Sequence, residues 1–264
     1  MAGSSKVAKG ELGAKGKTLM FELNQKTALV TGAGQNVGAG IARTLASQGA
    51  HVLVNDIVAD RAGEVADQIA ASGCSAEALP FDVTEGNDVR GAIADRPIDI
   101  LVNNAGNGGA EMMQVKPFAE TEPADWAGPL AVNLDGVMNC THAVLPGMIE
   151  RGWGRVIGVV SGAGTVGVNI GVAAYSAGKG GAAGLLRSVA LEVAKTGVTV
   201  NSIALGLMSN TGDTGVTDQL ARAIPTRRLG TPEDVAALCA YLASEEASWM
   251  TAQTIPLAGG SITS

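Results

Sequence analysis

The chain has 264 residues, a net charge of −7, and a composition in which 46% of residues are hydrophobic but only 3% aromatic. With 37 glycines and no linker-like stretch inside it, it suits one α/β domain with a core of Ala, Val, Ile and Leu. The negative charge, without a clustered basic face, argues against nucleic acid as a partner.

Cys74, Cys140 and Cys239 lie too far apart for a C-x-x-C pair, and His51 and His142 stand alone. No metal is therefore expected, and reduced thiols point to a cytoplasmic protein. No apolar run reaches the roughly 18 residues of a membrane span, so no membrane association is expected. Residues 1–20 lack the apolar centre of a secretory signal. They read as a disordered tail, native or an added leader, ahead of a single domain over 21–264.

The first strand is expected at 27 to 31, followed by Thr31-Gly32-Ala33-Gly34-Gln35-Asn36-Val37-Gly38. This run fails G-x-G-x-x-G but reads as T-G-x-x-x-G-x-G with Asn36 for the middle glycine. Asn is the non-glycine residue that most readily takes positive φ, so the turn is expected to survive. The helix opening near Val37 then points free N–H groups at a pyrophosphate. A structural glycine-rich turn is the competing reading. That helix closes at Gly49, a left-handed cap.

The second strand, 51 to 56, ends at Asp56 with Ile57 beside it. A carboxylate there accepts hydrogen bonds from ribose hydroxyls and repels a 2′-phosphate, which favours NAD over NADP, although Arg61 keeps NADP open. The third strand, 76 to 82, delivers Asp82 and Val83 as adenine contacts. The fourth, 98 to 103, runs into Asn103-Asn104-Ala105-Gly106. The asparagines are expected to tie neighbouring strands together, and Gly106 to admit the cofactor closely. Turn chemistry is the alternative at each of these positions.

Asn133 lies inside a helical pattern, and Ser161 follows the fifth strand, 155 to 160, where it can hydrogen-bond a substrate oxygen. Tyr175 and Lys179, four residues apart on one helix face, form a pair in which the ammonium is expected to lower the phenol pKa. After the sixth strand, 198 to 203, residues 206–225 read as a substrate lid. Met112, Met113 and Met208 are candidate pocket walls there, with ordinary packing as the alternative. The last long helix opens at Thr231-Pro232-Glu233-Asp234, and the seventh strand spans 253 to 257. Buried strands alternating with helices predict a doubly wound, seven-stranded parallel sheet with helices on both faces. Ligands then sit beyond the carboxyl ends of the strands.

Taken in order, "TGAGQNVG", "DV" at 82–83, "NNAG" at 103–106, Asn133, "GRVI" at 154–157, Ser161, "YSAGK" at 175–179 and "RLGTPEDVA" at 228–236 carry a resemblance. Over roughly residues 22–262 the chain resembles the short-chain dehydrogenase/reductase family. The resemblance implies an NAD-dependent oxidoreductase interconverting a secondary alcohol and a ketone, both small molecules of rather apolar character. It implies Tyr175 as general acid/base, Ser161 holding the substrate oxygen and Lys179 gripping the nicotinamide ribose. Asn133 would fix a kinked helix and a water relaying protons to Lys179. Cofactor contacts would come from Gly32, Gln35, Asn36, Val37, Gly38, Asp56, Ile57, Asp82, Val83, Asn104, Ala105, Gly106, Tyr175, Lys179, Gly206, Met208 and Asn210.

The chain departs from the family pattern at Asn36, in a shortened segment between Asp82 and Asn103, and at Leu205-Gly206, where the family has P-G. It departs again at Asn210, which takes the place of a threonine, with Thr211 an equally near candidate. A homotetramer built on the helix from 175 to 195 and the one carrying Asn133 is also implied. An NADP-dependent carbonyl reductase and a non-catalytic NAD-binding sensor or scaffold of the same fold are the alternatives.

Overall fold

The computed structural model describes residues 20–106, 115–209 and 214–263; the expected tail, apart from Met20, lies outside them. Seven strands form one parallel sheet: β1 Thr27–Val30, β2 His51–Val54, β3 Ala76–Ala78, β4 Ile100–Asn103, β5 Gly154–Ser161, β6 Val198–Leu205 and β7 Thr254–Leu257. Their order is β3-β2-β1-β4-β5-β6-β7. The sequence order reverses between β1 and β4, so the switch point that makes a ligand crevice lies at the end of β1.

The expected doubly wound architecture is present. Helices α1 Asn36–Ser47, α2 Ala59–Ala71, α3 Gly86–Ile93, α4 Pro123–Leu130, α5 Gly136–Arg151, α6 Ala173–Val193, α7 Thr214–Ala223 and α8 Pro232–Ala243 connect or flank the strands. Successive strand side chains serve opposite layers, as the two-residue period requires. Ala28, Val30, Val52 and Val54 join Ile41, Leu45, Val65 and Val235 on one face. Leu29, Leu53, Leu101 and Val200 join Val89, Val144 and Leu186 on the other. With both faces covered, the strands need no polar alternation. Where a glycine meets a neighbouring helix the packing is tight: a Cβ at Gly40 of α1 would stand 2.6 Å from Pro232 Cβ of α8.

Strand and helix ends shift by one to four residues from expectation, most of all at the third strand. The third strand, predicted over 76–82, ends at Ala78, because Pro80 has no N–H to donate to a ladder. The carbonyls of Leu79 and Phe81 accept instead from Asn55 Nδ2 at 3.1 and 3.0 Å. The helix carrying Tyr175 begins two residues earlier, at Ala173, and relaxes into a 3-10 turn after Val193. The opening of α8 is as read: Thr231 N donates to Asp234 Oδ2 at 2.9 Å and Asp234 N to Thr231 Oγ1 at 3.4 Å. Arg228 and Thr231 hold the Asp234 carboxyl down to about 2. Among the described residues no helix is long and apolar enough to cross a membrane, and no group of three or more acidic, His or Cys side chains could hold a metal ion.

Candidate active site

The loops at the carboxyl ends of β1, β2 and β4 interlock. Thr31 Oγ1 accepts from the N–H groups of Asn104 and Ala105, each at 3.0 Å. Asn104 Nδ2 donates to the carbonyls of Thr31 and Gly32 at 2.9 and 3.0 Å. Gly32 has φ +60, and a Cβ there would stand 2.8 Å from Ala105 Cα, so glycine is required on both counts. Asn36 has φ 47: it does adopt the left-handed conformation the turn needs, as the first residue of α1. The first turn of α1 has no side-chain cap and no acidic residue, leaving N–H donors and the positive end of a helix dipole at the crevice. Asn36→Ala is expected to cost about 1 kcal/mol of stability in a urea titration, because Ala tolerates this φ poorly; Asn36→Gly should cost little.

Asp56 is 5% exposed and faces the same loop. Its Oδ2 accepts from Gly34 N at 3.2 Å and its Oδ1 from Val58 N at 2.9 Å. A Cβ at Gly34 would stand 2.6 Å from both Asp56 Oδ2 and Arg61 Cβ, so the carboxylate and the arginine stem flank one glycine. Ile57, beside it, is 70% exposed, an apolar side chain open to a flat ring. Asp82 Oδ1 accepts from both the backbone and the hydroxyl of Thr84 at 2.8 Å. Val83 is buried and faces Gly136, whose Cβ would stand 2.7 Å from Val83 Cγ2.

Asn103 joins strand to strand through its backbone, in register with Gly158 of β5, and its Nδ2 also reaches Thr141 Oγ1 of α5 at 3.0 Å. Gly206 is close against Ala258, and its N–H donates to Leu257 O at 3.0 Å. Met208 bridges to Gly230 and packs on the core cluster. Asn210, Thr211, Met112 and Met113 lie outside the described residues. The expected lid contains α7.

The four residues of the proposed reaction centre come from three elements. Ser161 is the last residue of β5, and Tyr175 and Lys179 lie in the first turns of α6. Asn133 sits in a π turn, Ala131–Asp135, between α4 and α5. A π turn pairs each N–H with a carbonyl five residues back, leaving a carbonyl without its usual partner. Here Asn133 Nδ2 donates to Pro129 O at 2.9 Å, so the side chain fixes the bend. Asn133 is fully buried, and among the described residues its Oδ1 has no hydrogen-bond partner. A Cβ at Gly106 would stand 2.7 Å from that oxygen and 2.8 Å from Lys179 Nζ, so the buried acceptor and the ammonium converge on Gly106. Lys179 Nζ donates to Val159 O at 2.8 Å.

Burial pushes the Lys179 pKa down to about 8. The expectation for Tyr175 is corrected: burial pushes its pKa up, and a hydrogen bond with Ser161 pulls it only part of the way back. In this structure the Lys179 ammonium is spent on the Val159 carbonyl, and desolvation outweighs the rest.

The crevice fits a dinucleotide on three observations: the uncapped N–H groups of α1, the paired Asp56 and exposed Ile57 at the far end, and the unsatisfied Asn133 oxygen beside Lys179. Sequence reading missed two positioning residues. Asn55, 1% exposed, accepts from Gly32 N at 3.3 Å while holding the exit of β3, and Asn139 Nδ2 holds the carbonyls of Val83 and Thr84 at 3.0 and 3.2 Å. The only signal for either is an Asn at the end of an apolar strand, for Asn55, or within a helix, for Asn139.

The sequence profile described as short chain dehydrogenase matches residues 26–220. The chain is 37% identical over 259 residues to the oxidoreductase UcpA of Salmonella typhimurium, covering 92% of this chain and 96% of that protein. Among solved structures, it is similar to a gluconate 5-dehydrogenase from Burkholderia cenocepacia in complex with NADP and tartrate, at 33% identity and TM-score 0.83, covering 91% and 96% of the two chains. It is also similar to a 3-oxoacyl-[acyl-carrier protein] reductase from Brucella melitensis with bound NAD, at 28% identity and TM-score 0.87, covering 92% and 94%.

Proposed function

Since the chain belongs to the short-chain dehydrogenase family of oxidoreductases, we propose that it interconverts a secondary alcohol and a ketone, with NAD as the preferred cofactor. The observation that carries this reading is the convergence of Asn133 Oδ1 and Lys179 Nζ at Gly106, with Lys179 one turn along α6 from Tyr175. The nicotinamide, when bound, accepts or supplies the hydride. The chain's own residues do the rest. Ser161 holds the substrate oxygen and Tyr175 exchanges a proton with it. Lys179 holds the nicotinamide ribose, and Asn133 connects it to solvent.

The raised Tyr175 pKa keeps the hydroxyl protonated at neutral pH, which suits the acid of carbonyl reduction. NAD is placed ahead of NADP because a 2′-phosphate would meet the buried Asp56 carboxylate. Arg61, alongside Gly34, is the group that would support NADP. A cytoplasmic homotetramer completes the reading, supported by the exposed Met138 and Ile149 on α5 and Leu191 on α6; light scattering tests it.

The experiment is a panel of secondary alcohols and ketones, followed by absorbance of the reduced nicotinamide with NAD and NADP in parallel. Absence of turnover with every substrate, alongside tight dinucleotide binding, would replace the enzyme by a sensor or scaffold. Asp56→Asn is expected to shift the ratio of NAD to NADP affinity by about tenfold toward NADP, equivalent to 1.4 kcal/mol. An unchanged ratio would remove Asp56 from cofactor choice.

A further inference from the structure

Beside Tyr175, between the start of α4 and the start of α6, lies a cavity of about 180 Å³. Its walls are largely apolar. Phe118 stacks on Trp126 with ring centroids 5.4 Å apart, and Pro129 and Val172 continue the lining toward Tyr175. One ion pair stands in it, Lys116 with Asp125.

The backbone of Lys116 is clamped. Its N–H donates to Gly171 O at 2.9 Å. Gly171 has φ +70, and a Cβ there would stand 2.8 Å from Lys116 N, so only glycine lets the β5–α6 connection close on the β4–α4 connection at this point. The side chain is held more loosely. Lys116 Nζ lies 3.4 Å from Asp125 Oδ2, longer than the roughly 2.7–2.9 Å of a strong charge-assisted bond. That oxygen already accepts Glu122 N–H at 2.9 Å. An ammonium has three donors, and Asp125 engages one of them weakly. The result is a cation fixed at its root, with its side chain 36% exposed, on the rim of an apolar cavity that leads to the reacting tyrosine.

We infer that this cavity receives the end of the substrate remote from the reacting carbon, and that Lys116 selects an end bearing a carboxylate. A phosphate fits less well, because its two negative charges with that of Asp125 would set three against the single Lys116 cation, where a carboxylate sets two. The apolar walls suit a short methylene chain between the oxo group and the acid. The inference rests on the alcohol and ketone reading given above.

The test compares 4-oxopentanoate, 5-oxohexanoate and 6-oxoheptanoate with their methyl esters as substrates of the full chain and reduced cofactor, in wild type and in Lys116→Gln and Lys116→Arg. Wild type is expected to prefer at least one acid over its ester by about tenfold or more in kcat/KM, the range of a hydrogen bond to a charged group. Lys116→Gln should raise KM for that acid by a similar factor with little change in kcat, and shift the ester far less. Lys116→Arg should retain the preference. No preference for any acid, or equal losses on acid and ester, would overturn the inference while leaving the reaction intact. If nothing is turned over, calorimetric titration of the three acids decides. Binding that Lys116→Gln abolishes upholds the subsite while the proposed reaction falls, and absence of binding overturns the subsite as well.

Discussion

Tyr175→Phe is expected to lower kcat by about 10²–10⁴-fold, the usual worth of a positioned general acid or base, while leaving dinucleotide binding nearly unchanged. The ring remains to fill its place at the start of α6, and only the hydroxyl and its hydrogen bond with Ser161 are lost. The pH dependence separates this from a packing defect. With its pKa raised by burial, Tyr175 is the protonated partner at neutral pH. Carbonyl reduction by the wild type should therefore fall as pH rises through that raised value, and the residual rate of the variant should show no such limb. A loss smaller than tenfold would mean that another group delivers the proton.

Lys179→Met is expected to abolish nearly all activity and yet make the protein more stable at pH 7. Burial lowers the Lys179 pKa to about 8 from 10.5, so between those values the folded protein binds fewer protons than the unfolded chain, and stability rises with pH. Below pH 8 the full cost of holding the ammonium in the core is present, roughly 3 kcal/mol by the conversion of pKa to free energy. Its hydrogen bond to Val159 O offsets about 1 kcal/mol. Methionine removes the cost and the bond together, for a net gain of about 1–3 kcal/mol at pH 7. Above pH 10.5 the wild-type amine is neutral in both states but keeps the bond, so the variant should be the less stable of the two. Urea titrations at pH 7 and at pH 10.5 check the change of sign. Destabilisation at both would show that the ammonium is not a burden to the fold.

The parts of this protein legible in sequence are those fixed by local rules. Gly49 and the Thr231-Pro232-Glu233-Asp234 run announce helix ends by capping chemistry. Val- and Ile-rich runs bounded by turns announce strands buried on both faces, and the positive φ of Asn36 follows from the one residue type that replaces glycine cheaply. What the sequence did not disclose depends on partners distant along the chain. Asn55 is an unremarkable strand residue until Gly32 and Phe81 are brought to its two ends. The phenol of Tyr175 reads as an acidified group when only Lys179 is considered. It becomes the reverse once burial is counted and the ammonium is found on Val159. Lys116 gives no signal in sequence, because its place is set by Gly171, more than fifty residues on.

The strands differ in how far they are stitched together. β5 and β6 match over eight residues, from Gly154 with Val198 to Ser161 with Leu205, whereas β1 and β2 match over four, from Thr27 with His51 to Val30 with Val54. Ser161 is thus the last rung of the longest ladder in the sheet, while the loops proposed to face the dinucleotide hang from short rungs. On the proposed reading, the reacting groups would be mounted beside the longest ladder and the exchange of cofactor would take place beside the shorter ones. Where release sets the pace of an enzyme, substitutions under β1 to β3 can retune that pace without moving the reacting groups.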